Sequence, residues 1–279
     1  MGDTNLAMAD RCKAGFEPYA RRASHWLSLS AEEWIEEANR MASSRCISSG
    51  GGAPLRFVAH DVALPLSSAA DYETRIFTQG MVSCRTAGEG AIHDLFNALV
   101  WLTLPATKMA LNRLHVEGLL VGSDDVNEVQ GSRGRQRDRA SLLDESGVLW
   151  ISDSRACDDA LLERRWLDLF VAGRERLSRS VRPVVVGHGL LQKLLRPYKA
   201  LTAHCLLLDA QGLVGGGSDL ASIDLRSIDQ LAAHALACAD LHQTARLLTP
   251  LPVMGLPGWH PDIVDPAFFY DTQVFRPPR

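Results

Sequence analysis

ASLLDESGVLWIS, residues 140–152, consists of two apolar segments joined by Asp144, Glu145, Ser146 and Gly147. Acidic, hydroxyl and glycine residues between short apolar runs mark a tight turn, so the segment predicts a β-hairpin. The outline recurs at AHCLLLDAQGLVGG, residues 203–216: Leu-Leu-Asp, two residues, glycine and an apolar continuation. Tight turns join antiparallel neighbours, whereas parallel strands need long crossovers. The expected fold is therefore α+β, a helical layer packed on antiparallel hairpins. Parallel α/β is the rival, because helices and strands alternate through the middle of the chain.

Upstream of the first hairpin, GSDDVNEVQGSRGRQRDR (122–139) is polar, turns from acidic to basic, and predicts an exposed loop. Arg133, Arg135, Arg137 and Arg139 alternate along it. Extended backbone would send them to one side as a phosphate-binding comb; the alternative is a solvated charge run. Arg137 and Asp138 border the hairpin and are the substrate-binding candidates of this stretch.

Further upstream lies HDLFNALVWLTLPATKMALNRLH, residues 93–115. Residues 91–104 read as a helix apolar on nearly every side, stopped by Pro105, which can open the next helix to about Val116. At about 100° per residue, His93, Asp94, Asn97 and Trp101 share one narrow arc of the first helix. Lys108, Asn112 and His115, at i, i+4 and i+7, share one of the second. A helix apolar all round is buried, so its polar arc either meets partners or lines a cavity. If the arcs face each other, the group suits proton transfer or anion stabilisation, with His93 or His115 as base, Asp94 orienting or ligating, and Lys108 or Arg137 holding negative charge. The alternative is that the asparagines cross-link helices and the histidines are core donors.

Gly187, His188 and Gly189, with Lys193, Tyr198, Lys199, Thr202 and His204, form a second polar set around a short helix and a strand at 201–208. Lys199 and His204 are further ligand-binding candidates. Sequence does not say whether this set meets the first. His234, Cys238 and His242 stand four residues apart and could offer zinc three ligands, but the face rotates roughly 80° over that span, which favours a core role.

Toward the amino end, Ser30 and Glu33 form a capping box ahead of Trp34, Ile35, Ala38 and Met41, predicting a helix over about 31–43. Leu55–Val58 and Tyr72–Phe77 are short strand candidates, and Ser227 with Gln230 reads as a capping box for a helix ending before Pro250. From Pro250 onward the chain holds seven of its thirteen prolines and five of its eighteen aromatics, so it is expected to wrap the core without regular helix or sheet. The expected organisation is a helical extension (1–54), a main α+β domain (55–249) and a packed tail (250–279).

A net charge of −4 makes nucleic acid an unlikely partner, and the most apolar run, Leu95–Leu104, is about half a membrane span. Six scattered cysteines without a Cys-x-x-Cys pair, and no leader pattern, suit reduced thiols in the cytoplasm. No Walker loop, Rossmann fingerprint, Gly-x-Ser-x-Gly elbow or His-Glu-x-x-His helix is present, so no cofactor is identified, and a metal and the oligomeric state are left open.

RIFTQGMVSCRT, HDLFNALVWLTLPATKMALNRLH, RDRASLLDESG, GHGLLQKLLRPYKALTAH and the closing LPVMGLPGW with FRP resemble a proteobacterial family called domain of unknown function 3025, over about residues 55–279. That family pattern carries Trp where this chain has Ile92 and His260. The resemblance implies no activity, cofactor or catalytic residue. Three functions stay open on the residues alone: a metal-assisted or general acid-base hydrolase acting on a small anionic or phosphorylated substrate, a non-catalytic module binding an anion or protein, and a structural accessory protein.

Overall fold

The computed structural model describes residues 13–60, 69–120, 129–210, 220–238, 248–260 and 265–277. Three helices, α1 (Lys13–Phe16), α2 (Ala20–Trp26) and α3 (Ala31–Ser44), precede β1 (Arg56–Ala59). The Ser30/Glu33 capping box opens α3 as the sequence predicts. Then follow α4 (Ala69–Gln79), β2 (Met81–Cys84), α5 (Gly88–Thr103), α6 (Pro105–Leu120) and α7 (Val129–Ser146). The second half comprises β3 (Gly147–Ser152), α8 (Arg155–Leu162), α9 (Arg174–Ser180), β4 (Val181–Val185), α10 (His188–Leu194), β5 (Thr202–Asp209), α11 (Leu225–Cys238) and β6 (Thr249–Pro252).

The class is α+β, but the strands are not arranged as hairpins. The main sheet has the order β4-β3-β5-β6. The pairs β3/β4 and β5/β6 are antiparallel, whereas β3 and β5 run parallel, with Gly147 opposite His204 and Ser152 opposite Asp209. β1 and β2 form a separate parallel pair joined through α4. The two segments thus supply neighbouring parallel strands in unlike ways: the first Leu-Leu-Asp lies in α7 and is followed by β3, whereas the second closes β5. The far arm of the second predicted hairpin, 211–219, lies outside the described residues, as do 122–128 and His242.

The predicted hairpin at 140–152 is a helix running straight into a strand. Ala140, Leu143, Asp144 and Gly147 are buried, at i, i+3, i+4 and i+7, while Leu142 is exposed. That is helical periodicity, and it outweighs the turn-like composition of Asp-Glu-Ser-Gly. A Cβ on Gly147 would come within 2.2 Å of the Leu143 carbonyl oxygen, so only glycine permits a helix-to-strand step with no loop. The expected arginine loop is likewise the body of α7. The extended backbone that a comb would need is therefore absent from this stretch. Tyr72–Phe77, expected as a strand, belongs to α4, where Ile76 is buried and Tyr72 and Glu73 are half-buried one turn earlier. Tertiary burial overrides the strand preference of its β-branched and aromatic residues.

Every residue from Asp94 to Leu102 of α5 is buried, which makes this helix the central post of the helical layer. One hydrophobic cluster takes in Trp26 and Trp34 of the first helices, β3 and β5, and Phe269 and Phe275 near the carboxyl end. The closing region does form strand at its start: β6 is an edge strand, the position that tolerates Pro250 and Pro252. Beyond it, Phe170, Phe268, Phe269 and Phe275 pack with ring centroids 5.1–6.0 Å apart. The cap of α11 is Asp224, whose carboxylate accepts from the Ser227 amide and hydroxyl, and not Ser227 itself. His234 and Cys238 are exposed on α11, so the core role expected for them does not hold. Among the described residues no helix is long and apolar enough to cross a membrane.

Candidate functional site

Pro105 turns α6 back on α5, and the polar arcs of both helices reach one cavity of 610 Å³. α5 contributes His93, Asp94 and Asn97, and α6 contributes His115. Tyr72 and Glu73 come from α4, Arg85 from the turn after β2, Arg137, Asp144 and Glu145 from α7, and His188 from the first residue of α10. Lys108 and Asn112 stand behind this space, on a 10 Å³ pocket that shares Tyr72, Glu73, Asn97, His115 and Asp144 with it.

At one end of the cavity three ligand-type atoms form a triangle. His93 Nε2 lies 3.0 Å from His188 Nε2, His188 Nε2 lies 3.5 Å from Glu145 Oε1, and His93 Nε2 lies 3.8 Å from the same oxygen. Metal–ligand bonds of about 2.0–2.1 Å put the ligand atoms of a tetrahedral site roughly 3.3–3.4 Å apart, within the range of these edges. The protonation pattern points the same way. Gln192 Nε2 donates to the Glu89 carbonyl at 3.1 Å, which turns Gln192 Oε1 toward His93 Nδ1 at 3.0 Å. His93 therefore carries its proton on Nδ1 and presents a bare Nε2. His188 Nδ1 is buried without a hydrogen-bond partner among the described residues, 3.8 Å from Asp144 Oδ2, and its Nε2 lies at hydrogen-bond distance from the bare His93 Nε2. Two imidazole nitrogens and a carboxylate oxygen thus converge, and around a metal ion both nitrogens would turn lone pairs inward, with the His188 proton on Nδ1 beside Asp144. Burial keeps His188 neutral, with its pKa pulled down to about 3, and burial also raises the Glu145 carboxyl above its ordinary range. A Cβ on Gly189 would lie 2.5 Å from Glu145 Oε2, so the second glycine of Gly-His-Gly is what lets that carboxylate approach His188.

A second cluster with ligand-type groups, Glu73, His115 and Asp144, lies deeper. It already holds a cation: Lys108 Nζ, buried and 5.3 Å from the Trp101 ring centroid, hydrogen-bonds Asp144 Oδ1. Although burial works against its charge, Lys108 and the imidazoles around it hold the Asp144 carboxyl at about 2. A divalent ion there would face an ammonium at close range in a buried setting, a repulsion too strong for stable binding. Asn112 is fully committed, donating to the Glu73 carbonyl (3.0 Å) and Oε2 (2.8 Å) and accepting from the Gly50 amide (3.1 Å). Asn97 donates to Tyr72 Oη at 3.0 Å, while its Oδ1 and His115 Nε2 are buried with no protein partner among the described residues.

Asp94 is not free to act as a ligand. It binds Arg85 bidentately, at 2.8 Å from Nε and 2.7 Å from Nη2, and accepts from the Arg85 amide at 2.6 Å. This leaves the other edge of a half-exposed guanidinium toward the cavity. Of the remaining candidates, Arg137 is exposed on the cavity wall, whereas Asp138 is exposed but does not line it. Lys199 pairs with Asp271 at 2.9 Å and lies over the Phe268 ring, a clasp on the closing region. His204 meets the Ser146 hydroxyl at 2.9 Å on the sheet. Neither lines the cavity.

His188, named in the second polar set but not chosen as a candidate, and Arg85, Glu73, Asp144 and Glu145 are absent from the sequence-based site. Helical periodicity through 140–147 was the signal for the last two, and the Tyr72/Ile76 spacing for Glu73; Arg85 carries none. No curated protein and no solved structure matches the chain. The family model described as protein of unknown function (DUF3025) matches residues 55–279, and the chain belongs to that family.

Proposed function

We propose that this protein is a metal-dependent hydrolase of small phosphorylated substrates, with His93, His188 and Glu145 holding one divalent transition metal, zinc first. The observation that carries the reading is the triangle of two imidazole nitrogens and one carboxylate oxygen, with the His93 proton directed away from its centre toward Gln192. Two histidines and a glutamate with the remaining positions open to a cavity form a ligand set used by catalytic zinc, where the metal lowers the pKa of bound water and polarises the substrate.

The charges around the cavity support an anionic substrate. Asp94 cancels Arg85, and Asp144 cancels Lys108. Glu145 then stands against the divalent ion and Arg137, and with Glu73 in its neutral form the excess is two positive charges, which matches a phosphate monoester dianion. The open edge of Arg85 is a fork suited to phosphate oxygens, and Asp94 fixes its direction.

Protein purified without added metal, analysed for metal content and titrated with zinc, is expected to bind one ion per chain. The loaded protein is expected to hydrolyse p-nitrophenyl phosphate. His188→Ala should lose both properties while keeping its fold. A folded wild-type chain that binds no divalent ion, or one isolated with iron that consumes dioxygen, overturns the reading.

A further inference from the structure

Resting on that reading, we infer that Glu73, seated by Asn112 beside His115, is the proton donor to the leaving group. The metal triangle and Glu73 line the same cavity from different elements, α5, α7 and α10 for the triangle and α4 for Glu73. The Asn112 amide grips only Oε2, so Oε1 is left without a hydrogen-bond partner among the described residues. The inner cluster has no use for Glu73 as a metal ligand, since Lys108 already supplies the positive charge that Asp144 needs. Glu73 is thus a carboxyl fixed at one oxygen, open at the other, and facing the space where a substrate bond would break.

Its surroundings favour the protonated form. Burial raises the Glu73 carboxyl, and the Asp144 carboxylate pushes in the same direction; His115 and Lys108 oppose them, and burial dominates. The adjoining Tyr72 hydroxyl is itself held neutral by burial, and Asp94 on α5 is matched by Arg85. An acid whose surroundings favour the proton-bearing form, in a cavity that otherwise holds cations for the substrate, is the arrangement general-acid catalysis requires.

In the hydrolysis of a phosphate monoester, a water oxygen bonds to phosphorus, and the bond from phosphorus to the ester oxygen breaks with its electron pair going to that oxygen. Glu73 supplies the proton that this oxygen takes up. The attacking water gives up one proton, which restores the Glu73 carboxyl, and the sum is monoester dianion plus water to alcohol plus hydrogen phosphate. His115, within ligand distance of Glu73, offers its unpartnered Nε2 to the returning proton.

The test compares phenyl phosphate, whose leaving group needs a proton, with p-nitrophenyl phosphate, whose leaving group needs far less. In zinc-loaded protein, Glu73→Gln keeps the Asn112 contact. It is expected to slow phenyl phosphate hydrolysis by about 10²–10⁴-fold, the usual worth of a general acid, with a much smaller loss on p-nitrophenyl phosphate. Equal losses on both substrates, with metal still bound, overturn the role of Glu73 and leave the hydrolase reading standing. A metal-loaded wild-type protein inert toward both refutes that reading and the proton-donor role with it. Should Glu73→Gln lose its metal, Glu73→Ala with added formate takes its place: recovery of phenyl phosphate turnover is expected, and no recovery overturns the inference.

Discussion

Two clusters a few ångströms apart use the same side-chain types to opposite ends. His93, Glu145 and His188 converge with no cation of their own, and Glu73, His115 and Asp144 converge around Lys108. Each would pass as a metal site on residue identity and spacing. The difference is electrostatic: the outer cluster sets a carboxylate against two imidazoles with no ammonium bonded to it, and the inner one has a buried ammonium already bonded to its carboxylate. The lesson is that ligand residues define a metal site only when the local charge is left unbalanced.

The largest effect should come from erasing that difference. Lys108→Met removes the ammonium and leaves Asp144 buried without its counter-charge, which costs about 3–5 kcal/mol when one partner of a buried pair is deleted. Chemical denaturation of metal-free protein reads this directly. If Lys108 is what keeps metal out of the inner cluster, the variant should also bind a second zinc ion and recover part of the lost stability. A variant that stays at one ion per chain shows that something other than Lys108 closes the inner cluster.

How much of this was legible beforehand follows the same line between local and non-local information. The polar arcs of α5 and α6 were readable because a helix apolar on all other sides makes each buried polar residue conspicuous, and His93, Asp94, Asn97 and His115 do reach one cavity. Their partners were not readable. His93 and His188 are 95 positions apart, and nothing in local patterning states that α10 packs its first residue on α5. Asp144 and Glu145 are hidden for another reason: Asp-Glu-Ser-Gly has the composition of a turn, which masks the helical spacing of Ala140, Leu143 and Gly147. The class α+β depends on the number and kind of elements and holds, whereas the hairpin expected at 140–152 depends on that one segment and is replaced by a helix running into a strand.

A smaller effect separates the outer cluster from a chance meeting of two histidines. Gln192→Ala removes the acceptor that fixes the His93 proton on Nδ1 while leaving all three proposed ligands in place. Loss of an outer partner of this kind weakens metal binding by roughly 10–100-fold. Zinc titration should therefore show unchanged stoichiometry and a higher dissociation constant. Unchanged affinity would mean that the tautomer of His93 is set elsewhere and that the lone-pair argument for the triangle is wrong.

The smallest effect concerns the inner cluster alone, and its sign is distinctive. Because burial raises the Glu73 carboxyl, the native protein retains a proton that the unfolded chain releases near its ordinary pKa. Stability from this source is complete below the unfolded value and is lost as pH rises through the native one. Glu73→Gln, neutral at every pH, should lack that slope, so denaturation curves in metal-free protein across the window should diverge. The variant should be the more stable of the two at the alkaline end. A residue kept for packing would give a variant equally or less stable at all pH values. Stabilisation at high pH joined to loss of turnover is the pattern expected of an acid that is held protonated for its chemistry at a cost to the fold.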